Sequence, residues 1–515
     1  MRPCFNTAGP CNPRDHYMLP PERRLGRVMR VIDDHKYFTF TAGWQTGKTT
    51  CAQWLEDHLN ATGKWRAMWV DLETAREQPD PVKGFRTILH KLIEVCARVH
   101  PDVPQIDLDT LMATPLRSLT TALSHLAQHS DRPWVIFFDE ADCLVGETMV
   151  SFLTQLREGY LGRYKHPFPA SVVLVGRRQV RDYTLRDDER RAISWLGTSS
   201  PFNISAEDLT IGPFTEPEVT ELLQQHTTRT GQVFLPEAAA KIYELGQGHP
   251  WLTNALADQI VDRDVEDRNV AITADHVEAA KETIILERRS HIDSLIARLR
   301  EERVRRVLDP MLSGERAQQD MLDDDFAYVL GLGLIRKIQG QYRVANPIYR
   351  EVIPRALNYA QQMQIVNEPA AYVRKDGSLD MPKLMTDWQE FWREDGHLAA
   401  EGFGYRESGP HLMLMAFLQR VINGGGVIRR EYGLGRKALD LLVLWQDAKH
   451  AIEVKIRRGP RTESTALEQL SGYLDRIGLS EGWLVMFDRR KIRWEKKLYQ
   501  REVEFSGKRI RIIGS

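Results

Sequence analysis

The sequence predicts a multidomain α/β protein built on a parallel sheet, and three observations carry that expectation. Apolar strand-like runs alternate with amphipathic helices between residues 27 and 205, a Gly-Lys-Thr turn follows the first of those runs, and a strand pattern returns near the C-terminus after a long helical interval. At 515 residues the chain also exceeds what one hydrophobic core supports, so about three or four domains are expected.

The strand signals are YFTFTA (37–42), WRAMWVDL (65–72), RPWVIFFDEAD (132–142) and ASVVLVG (170–176). Between them KTTCAQWLEDHLNAT (48–62) and VKGFRTILHKLIEVCARVH (82–100) read as helices. Near-continuous apolar strands mean that both faces of the sheet are covered, as in parallel sheets flanked by helices. We therefore take 1–25 as an extended, Pro-, Asn- and Arg-rich leader and 26–213 as the α/β core. Residues 214–300 show helical periodicity throughout. Residues 301–356 combine short helices with GLIRKIQGQYRVANP, whose central Gly-Gln suits a hairpin. A polar linker, 357–380, leads to a second α/β domain, 381–515, with strands ALDLLVLW, HAIEVKI and EGWLVMFD.

The formal net charge of −1 gives no general attraction to nucleic acid, but it hides an asymmetry. From Gly426 onward there are 20 Lys+Arg against 12 Asp+Glu, a net of +8, so the last domain is basic and the remainder acidic. The cysteines Cys4, Cys11, Cys51, Cys96 and Cys143 form no CxxC pair and no metal-ligand spacing, which favours a reducing compartment. With no apolar leader and no run of about 18 apolar residues, a cytoplasmic protein without a membrane partner is expected.

The stretch Ala42-Gly43-Trp44-Gln45-Thr46-Gly47-Lys48-Thr49-Thr50 has the chemistry of a phosphate-binding loop. Backbone N–H groups freed by glycine and aimed by a helix N-terminus surround phosphate oxygens. Lys48 would reach the terminal phosphates and Thr49 would bind Mg²⁺. Ala42 stands where the usual pattern opens with glycine. Asp139 and Glu140 end an apolar strand, where the first carboxylate would hold Mg²⁺ and the second would polarise the attacking water. A plain helix cap reads the same locally. The two motifs in order, each after a strand, point to ATP with Mg²⁺ as cofactor.

With those residues in place, residues 1–355 resemble AAA-like P-loop ATPases related to the STAND and origin-recognition classes. The resemblance implies an ATPase core with a helical lid and a winged-helix-like domain. It implies that Tyr17 and Arg23 of the leader lie near the adenine, that Arg178 follows a sensor strand, and that Gly248 and Pro250 form the base of the lid. Arg288 or Arg289 would sense the γ-phosphate, and homo-oligomers are implied. Relatives often read Pro-Arg where this chain has Gly43-Trp44.

The C-terminal domain carries a different pattern. Asp440, Glu453 and Lys455 stand in a D-x12-E-x-K arrangement, with Glu453 and Lys455 two apart on one strand and so on one face. Two carboxylates converging in a basic domain suit Mg²⁺, and a nearby lysine can orient or deprotonate the attacking water. A solvated strand edge would show the same alternation. The stretch 380–515 resembles the PD-(D/E)XK, or restriction-endonuclease-like, nuclease family. That resemblance brings in Gln469 and Tyr473, an i, i+4 pair matching a QxxxY motif, and Glu407 as a first-helix acid. The reading at this stage is an ATP-regulated, Mg²⁺-dependent nuclease acting on nucleic acid, with DNA favoured over RNA. The architecture implies a role in bacterial defence against foreign nucleic acid. The alternative is a nucleotide-dependent DNA-binding or scaffold ATPase whose nuclease-like domain is non-catalytic.

Overall fold

The computed structural model describes residues 3–176, 204–287, 289–312, 324–338, 340–353, 372–396, 409–422, 426–434, 437–457, 459–488, 490 and 492–515, with two-residue strands at Thr184–Leu185 and Ser194–Trp195. Its contacts divide the chain into two compact units. One is Met1–Ser294 with Gln319–Ile348, the other Leu295–Gln318 with Tyr349–Ser515.

In the first unit, helix α1 (Glu22–Asp33) precedes strand β1 (Tyr37–Thr41), and α2 (Lys48–Ala61) leads to β2 (Arg66–Asp71). Helices α3 (Pro81–Val99), α4 (Leu108–Met112) and α5 (Ser118–Gln128) precede β3 (Trp134–Asp139), and α6 (Gly146–Gly162) precedes β4 (Ser171–Gly176). The two-residue strands count as β5 and β6, and Ser205–Thr210 is β7. Among the described residues the sheet has five strands in the order β2-β3-β4-β1-β7, all parallel.

The parallel arrangement follows from burial on both faces. Successive residues of β3 point to opposite cores. Phe137 packs with Leu25 and Ile32 of α1 and Leu55 and Leu59 of α2. Ile136 and Phe138 pack instead with Leu89 of α3, Leu123 of α5 and Phe152 of α6. Each such fully buried side chain contributes about 1.5–3 kcal/mol.

Two elements differ from expectation. Strand β7 reads Ser-Ala-Glu-Asp-Leu-Thr and alternates half-buried with exposed, because an edge strand needs no continuous apolar run. Helix α1 begins inside the segment expected to be extended to residue 25. Pro21 stands at its N-cap, a tolerated place for proline, and Leu25, Val28 and Ile32 form its buried stripe.

The helical segment comprises α7 (Glu216–Thr230), α8 (Pro236–Gly246), α9 (Pro250–Gln259), α10 (Ala274–Leu286) and α11 (Ser290–Arg298). Helix α7 opens on a capping box between Thr215 and Glu218 and closes on Gly231 with φ 82°. Beyond α12 (Glu302–Leu312) and α13 (Asp324–Gly331), β8 (Ile335–Ile338) and β9 (Gln341–Val344) form the expected antiparallel hairpin, with Gly340 at φ 83° in its turn.

The second unit holds α14 (Met381–Phe391), α15 (Gly409–Ile422), β10 (Gly426–Leu434), β11 (Lys437–Trp445), β12 (Ala448–Ile456), α16 (Thr462–Ile477), β13 (Glu481–Phe487), α17 (Trp494–Lys497), β14 (Tyr499–Phe505) and β15 (Lys508–Gly514). Among the described residues its sheet runs β10-β11-β12-β13-β15-β14. Strand β12 is antiparallel to β11 and parallel to β13. Helix α16 covers one face through Leu470 and Leu474 against Ala451, Leu484 and Ile512. The sequence reading had only the three strands β11, β12 and β13; β14 escaped it because its charges, Arg501, Glu502 and Glu504, mask a half-exposed strand.

Gly248, at φ 74°, is forced by packing as well as by backbone: a β-carbon there would lie 1.9 Å from the Phe214 carbonyl oxygen. Gly248→Ala is expected to lower stability by about 1–3 kcal/mol. Gly26, on α1 with nothing within 4 Å of an added β-carbon, should instead gain about 0.5–1 kcal/mol on replacement by alanine. Chemical denaturation of the two variants checks both signs.

Candidate nucleotide and metal sites

The loop 42–47 joins the end of β1 to the start of α2. Gly47 caps α2 at φ 91°, a left-handed geometry that favours glycine, and an added β-carbon would meet nothing within 4 Å. The loop is therefore fixed by backbone twist, with open space before it. Ala42 is buried in the core with Val28 and Ala52, which accounts for a methyl group at the loop's entry. The Lys48 ammonium donates to the carbonyls of Ala42 at 3.1 Å and Gly43 at 3.0 Å. Thr46 donates its hydroxyl to Gly43 O at 2.6 Å, and Thr50 Oγ1 accepts from the Cys11 amide at 3.0 Å.

Thr49 and Asp139 meet directly: the Thr49 hydroxyl donates to Asp139 Oδ2 at 2.9 Å. Trp69 Nε1 donates to the same oxygen at 3.1 Å, and the Glu140 amide donates to Oδ1 at 2.9 Å. Asp139 is only 1 % exposed, and burial pushes its carboxyl up despite these bonds. A hydroxyl and a buried carboxylate are hard oxygen donors that fit Mg²⁺. Glu140, at φ 52° just beyond the strand, has Oε2 3.5 Å from Arg76 Nη2.

Gly43 and Trp44 acquire a role the sequence could not show. A β-carbon on Gly43 would lie 3.4 Å from Gly333 Cα, so two backbones pass in close contact. His249 Nε2 bonds the Trp44 carbonyl at 3.1 Å, and His291 Nδ1 bonds Gln45 Oε1 at 2.7 Å. His291 also stacks on Trp251, with centroids 4.9 Å apart. Burial lowers His249 to about 4 and holds His291 well below its usual range. Both rings are neutral and tie the helical segment to the loop.

Beside the loop lies an open cavity whose wall includes Tyr17, Arg24, Thr50, Phe214 and Pro250. Tyr17 and Pro250 are thus among its lining residues. Arg23 does not line the cavity; it pairs with Glu221 at 2.6 Å on the surface, and its neighbour Arg24 faces inward over the Phe214 ring. Arg289 is engaged by Asp258 and Glu287, each at 3.4 Å. Arg178, Arg288 and Glu407 lie outside the described residues.

In the second unit, Leu441 pairs with Ile452, a register that continued one step sets Asp440 opposite Glu453. Asp440 Oδ2 accepts the Val454 amide at 2.8 Å. The Lys455 ammonium lies 2.7 Å from Glu453 Oε1 and 3.5 Å from Asp440 Oδ2. Glu453 is only 1 % exposed, so the face it shares with Lys455 is no solvated edge. Its Oε2 is buried without a hydrogen-bond partner. Burial, then the Asp440 charge, pushes Glu453 up to about 8. Burial alone would lower Lys455, yet Asp440 and Glu453 hold it above its ordinary value. Tyr473, buried on α16, is pushed up to about 12 by burial and by those same carboxylates; Gln469 lies one turn earlier, half-buried. Among the described residues, no three His, Cys, Asp or Glu side chains cluster as a ready metal cage. The site offers two carboxylates, and the orphaned Glu453 oxygen fits a cation.

A five-stranded parallel sheet with this loop between β1 and α2 matches a P-loop ATPase core. Comparison with protein-family models and with curated proteins finds no match. Among solved structures, the chain is similar to the Walker-type ATPase of Pyrococcus abyssi, at 14 % identity and TM-score 0.48 over 68 % of this chain and 99 % of that one. It is similar also to RuvB, the Holliday junction branch migration motor of Thermotoga maritima, at 14 % identity and TM-score 0.34 over 65 % and 95 % of the two chains. Domain III of the Thermotoga maritima replication initiation protein DnaA matches at 12 % and 0.33 over 53 % and 97 %. At such scores the topology and the loop carry the assignment of fold. Among the described residues, no helix is long and apolar enough to cross a membrane, and all five cysteines are free.

The neutral histidines give a signed pH dependence. Their folded values lie below the ordinary 6.5, so the unfolded chain binds more protons on acidification and stability falls from pH 6.5 downward. The melting temperature is expected to decline between pH 6.5 and 5. That decline should be reduced in His249→Asn/His291→Gln, with part remaining from His100, His226 and His450, which burial also lowers. Equal declines in both proteins would remove the assignment.

Proposed function

We propose that the chain binds ATP with Mg²⁺ at loop 42–50 and that nucleotide state controls phosphodiester cleavage at Asp440, Glu453 and Lys455. The nuclease half rests on one observation above all: Glu453, buried within a β-sheet, keeps an unpartnered carboxylate oxygen beside Asp440 and Lys455. Burying a carboxylate is costly unless a cation or proton compensates it. A pure scaffold gains nothing from that arrangement. The excess of Lys and Arg beyond Gly426 supports a nucleic-acid substrate, with DNA favoured, and a homo-oligomeric assembly belongs to the same proposal.

At the first site, Lys48 now satisfies two loop carbonyls, and an arriving phosphate would offer it an anionic partner in their place. Thr49 and Asp139 would hold Mg²⁺, which when bound neutralises phosphate charge. Glu140 stands just beyond the strand, where it would orient water and accept its proton, with Arg76 Nη2 3.5 Å from its carboxylate. At the second site Asp440 and Glu453 would hold Mg²⁺, a Lewis acid toward phosphodiester oxygens when bound. Lys455 is held protonated by both carboxylates, so its work is to orient water and to offset negative charge on the phosphate rather than to remove a proton. Tyr473 keeps its hydroxyl protonated and can donate.

The second reading, a non-catalytic scaffold, draws on the same lysine, whose ammonium bridges both carboxylates as a closed ion pair would. A cleavage assay separates them, run on DNA and RNA panels with Mg²⁺, without nucleotide, with ATP and with a non-hydrolysable analogue. Asp440→Asn and Lys455→Met should each abolish cleavage while melting and ATP binding persist; cutting at the parent rate would leave the scaffold reading standing. Glu140→Gln should retain ATP binding and lose about 100-fold or more in hydrolysis, measured as phosphate release.

A further inference from the structure

Trp69 of β2 joins the two elements that build the first site. Its backbone N–H donates to Glu56 Oε1 on α2 at 2.9 Å. Its indole Nε1–H donates to Asp139 Oδ2, at the end of β3, at 3.1 Å. Helix α2 also carries Thr49, so one residue ties the helix that bears the hydroxyl to the strand that bears the carboxylate.

The strand register accounts for a tryptophan at this position. Trp69 pairs with Phe137 across the parallel strands, and Asp139 lies two residues further along β3, hence on the same face. A donor carried by residue 69 must therefore span about 7 Å along the sheet. Tryptophan does so with a rigid ring whose N–H can only donate, while the half-buried side chain packs against the core that includes Leu55, Leu59 and Phe137.

The three donors to Asp139 are not equivalent. The Glu140 amide holds Oδ1 from the backbone. The Thr49 hydroxyl on Oδ2 turns about its own C–O bond, and its oxygen is also assigned to Mg²⁺. The indole is fixed by its ring, carries no charge and cannot act as a ligand. A lysine or arginine in its place would hold the carboxylate but compete with the metal for it. A neutral donor orients the oxygen without taking the cation's place.

We propose that Trp69 is a positioning residue for Mg²⁺, its indole N–H holding the Asp139 carboxylate in the orientation that receives the ion. This rests on the nucleotide reading given above and adds to it the residue that prepares the metal's ligand. Hydrogen-bond partners of metal ligands typically contribute about 10–100-fold to metal affinity.

The test uses the full chain and a non-hydrolysable ATP analogue, its dissociation constant measured by calorimetry with Mg²⁺ and again in excess chelator. The ratio of the two constants isolates what the metal adds. In Trp69→Phe, which keeps an aromatic ring and removes the donor, that ratio should fall about tenfold, with affinity in chelator and melting temperature unchanged. Trp69→Leu serves in its place should the Phe variant melt early. Trp69→Gln, whose amide N–H lies the same number of bonds from the backbone, should lie nearer the parent's ratio than Trp69→Phe does. An undiminished ratio in Trp69→Phe overturns the inference, as does an equal loss in Trp69→Gln, which would assign the effect to the bulk of the ring. Failure of the nucleotide reading is distinct: the parent then binds the analogue in neither condition, or gains nothing from Mg²⁺, and the inference falls with it.

Discussion

A buried carboxylate at the end of a central strand sets the terms for the first unit. Asp139 sits where water hardly reaches, and three donors converge on it from β2, from α2 and from its own chain. Those donors do not fully offset burial, since the carboxyl remains pushed up. The residual imbalance can be relieved by a cation. The strand order, the placement of α2 and the left-handed turn at Gly47 all serve to bring Thr49 within 2.9 Å of that carboxylate. The rest of the loop, including the burial of Ala42, follows from holding this contact.

The second unit meets the same problem with different means. Glu453 is as deeply buried as Asp139, yet its compensating charge is internal, the Lys455 ammonium at 2.7 Å. One carboxylate is met by three neutral donors; the other shares a resident ammonium with Asp440. A resident ammonium competes with any metal for the same oxygens, so occupancy there depends on how readily Lys455 moves aside. The free Glu453 oxygen gives a cation a place to begin.

Legibility in the sequence tracked how local each signal was. Strands β1 to β4 were readable because a strand covered on both faces must be apolar without interruption, and the motif residues at their ends could be placed with them. Strand β7 was not, because an edge position permits Ser, Glu and Asp, and α1 was hidden by the Pro and Arg around its start. The meeting of Thr49 with Asp139 could be anticipated from their places after β1 and at the end of β3. That Arg24 rather than Arg23 lines the cavity was not legible, since the two differ in which side of α1 they face. His249 and His291 gave no signal at all, their partners Trp44 and Gln45 being brought near only by folding. Glu453 was half legible: Glu-x-Lys reads the same on a wet edge and in a buried strand, and only the packing of α16 and the neighbouring strands distinguishes them.

The passage of Gly43 against Gly333 has a further consequence, for how such a loop can vary. Most contacts can be strengthened or weakened in small steps by trading one side chain for another of similar shape. Here the two sides differ: a β-carbon on Gly43 would meet Gly333 Cα at 3.4 Å, an ordinary contact distance, whereas any side chain at Gly333, φ 75°, would strain the backbone. Variation at this contact is therefore open on the loop's side and closed on the other.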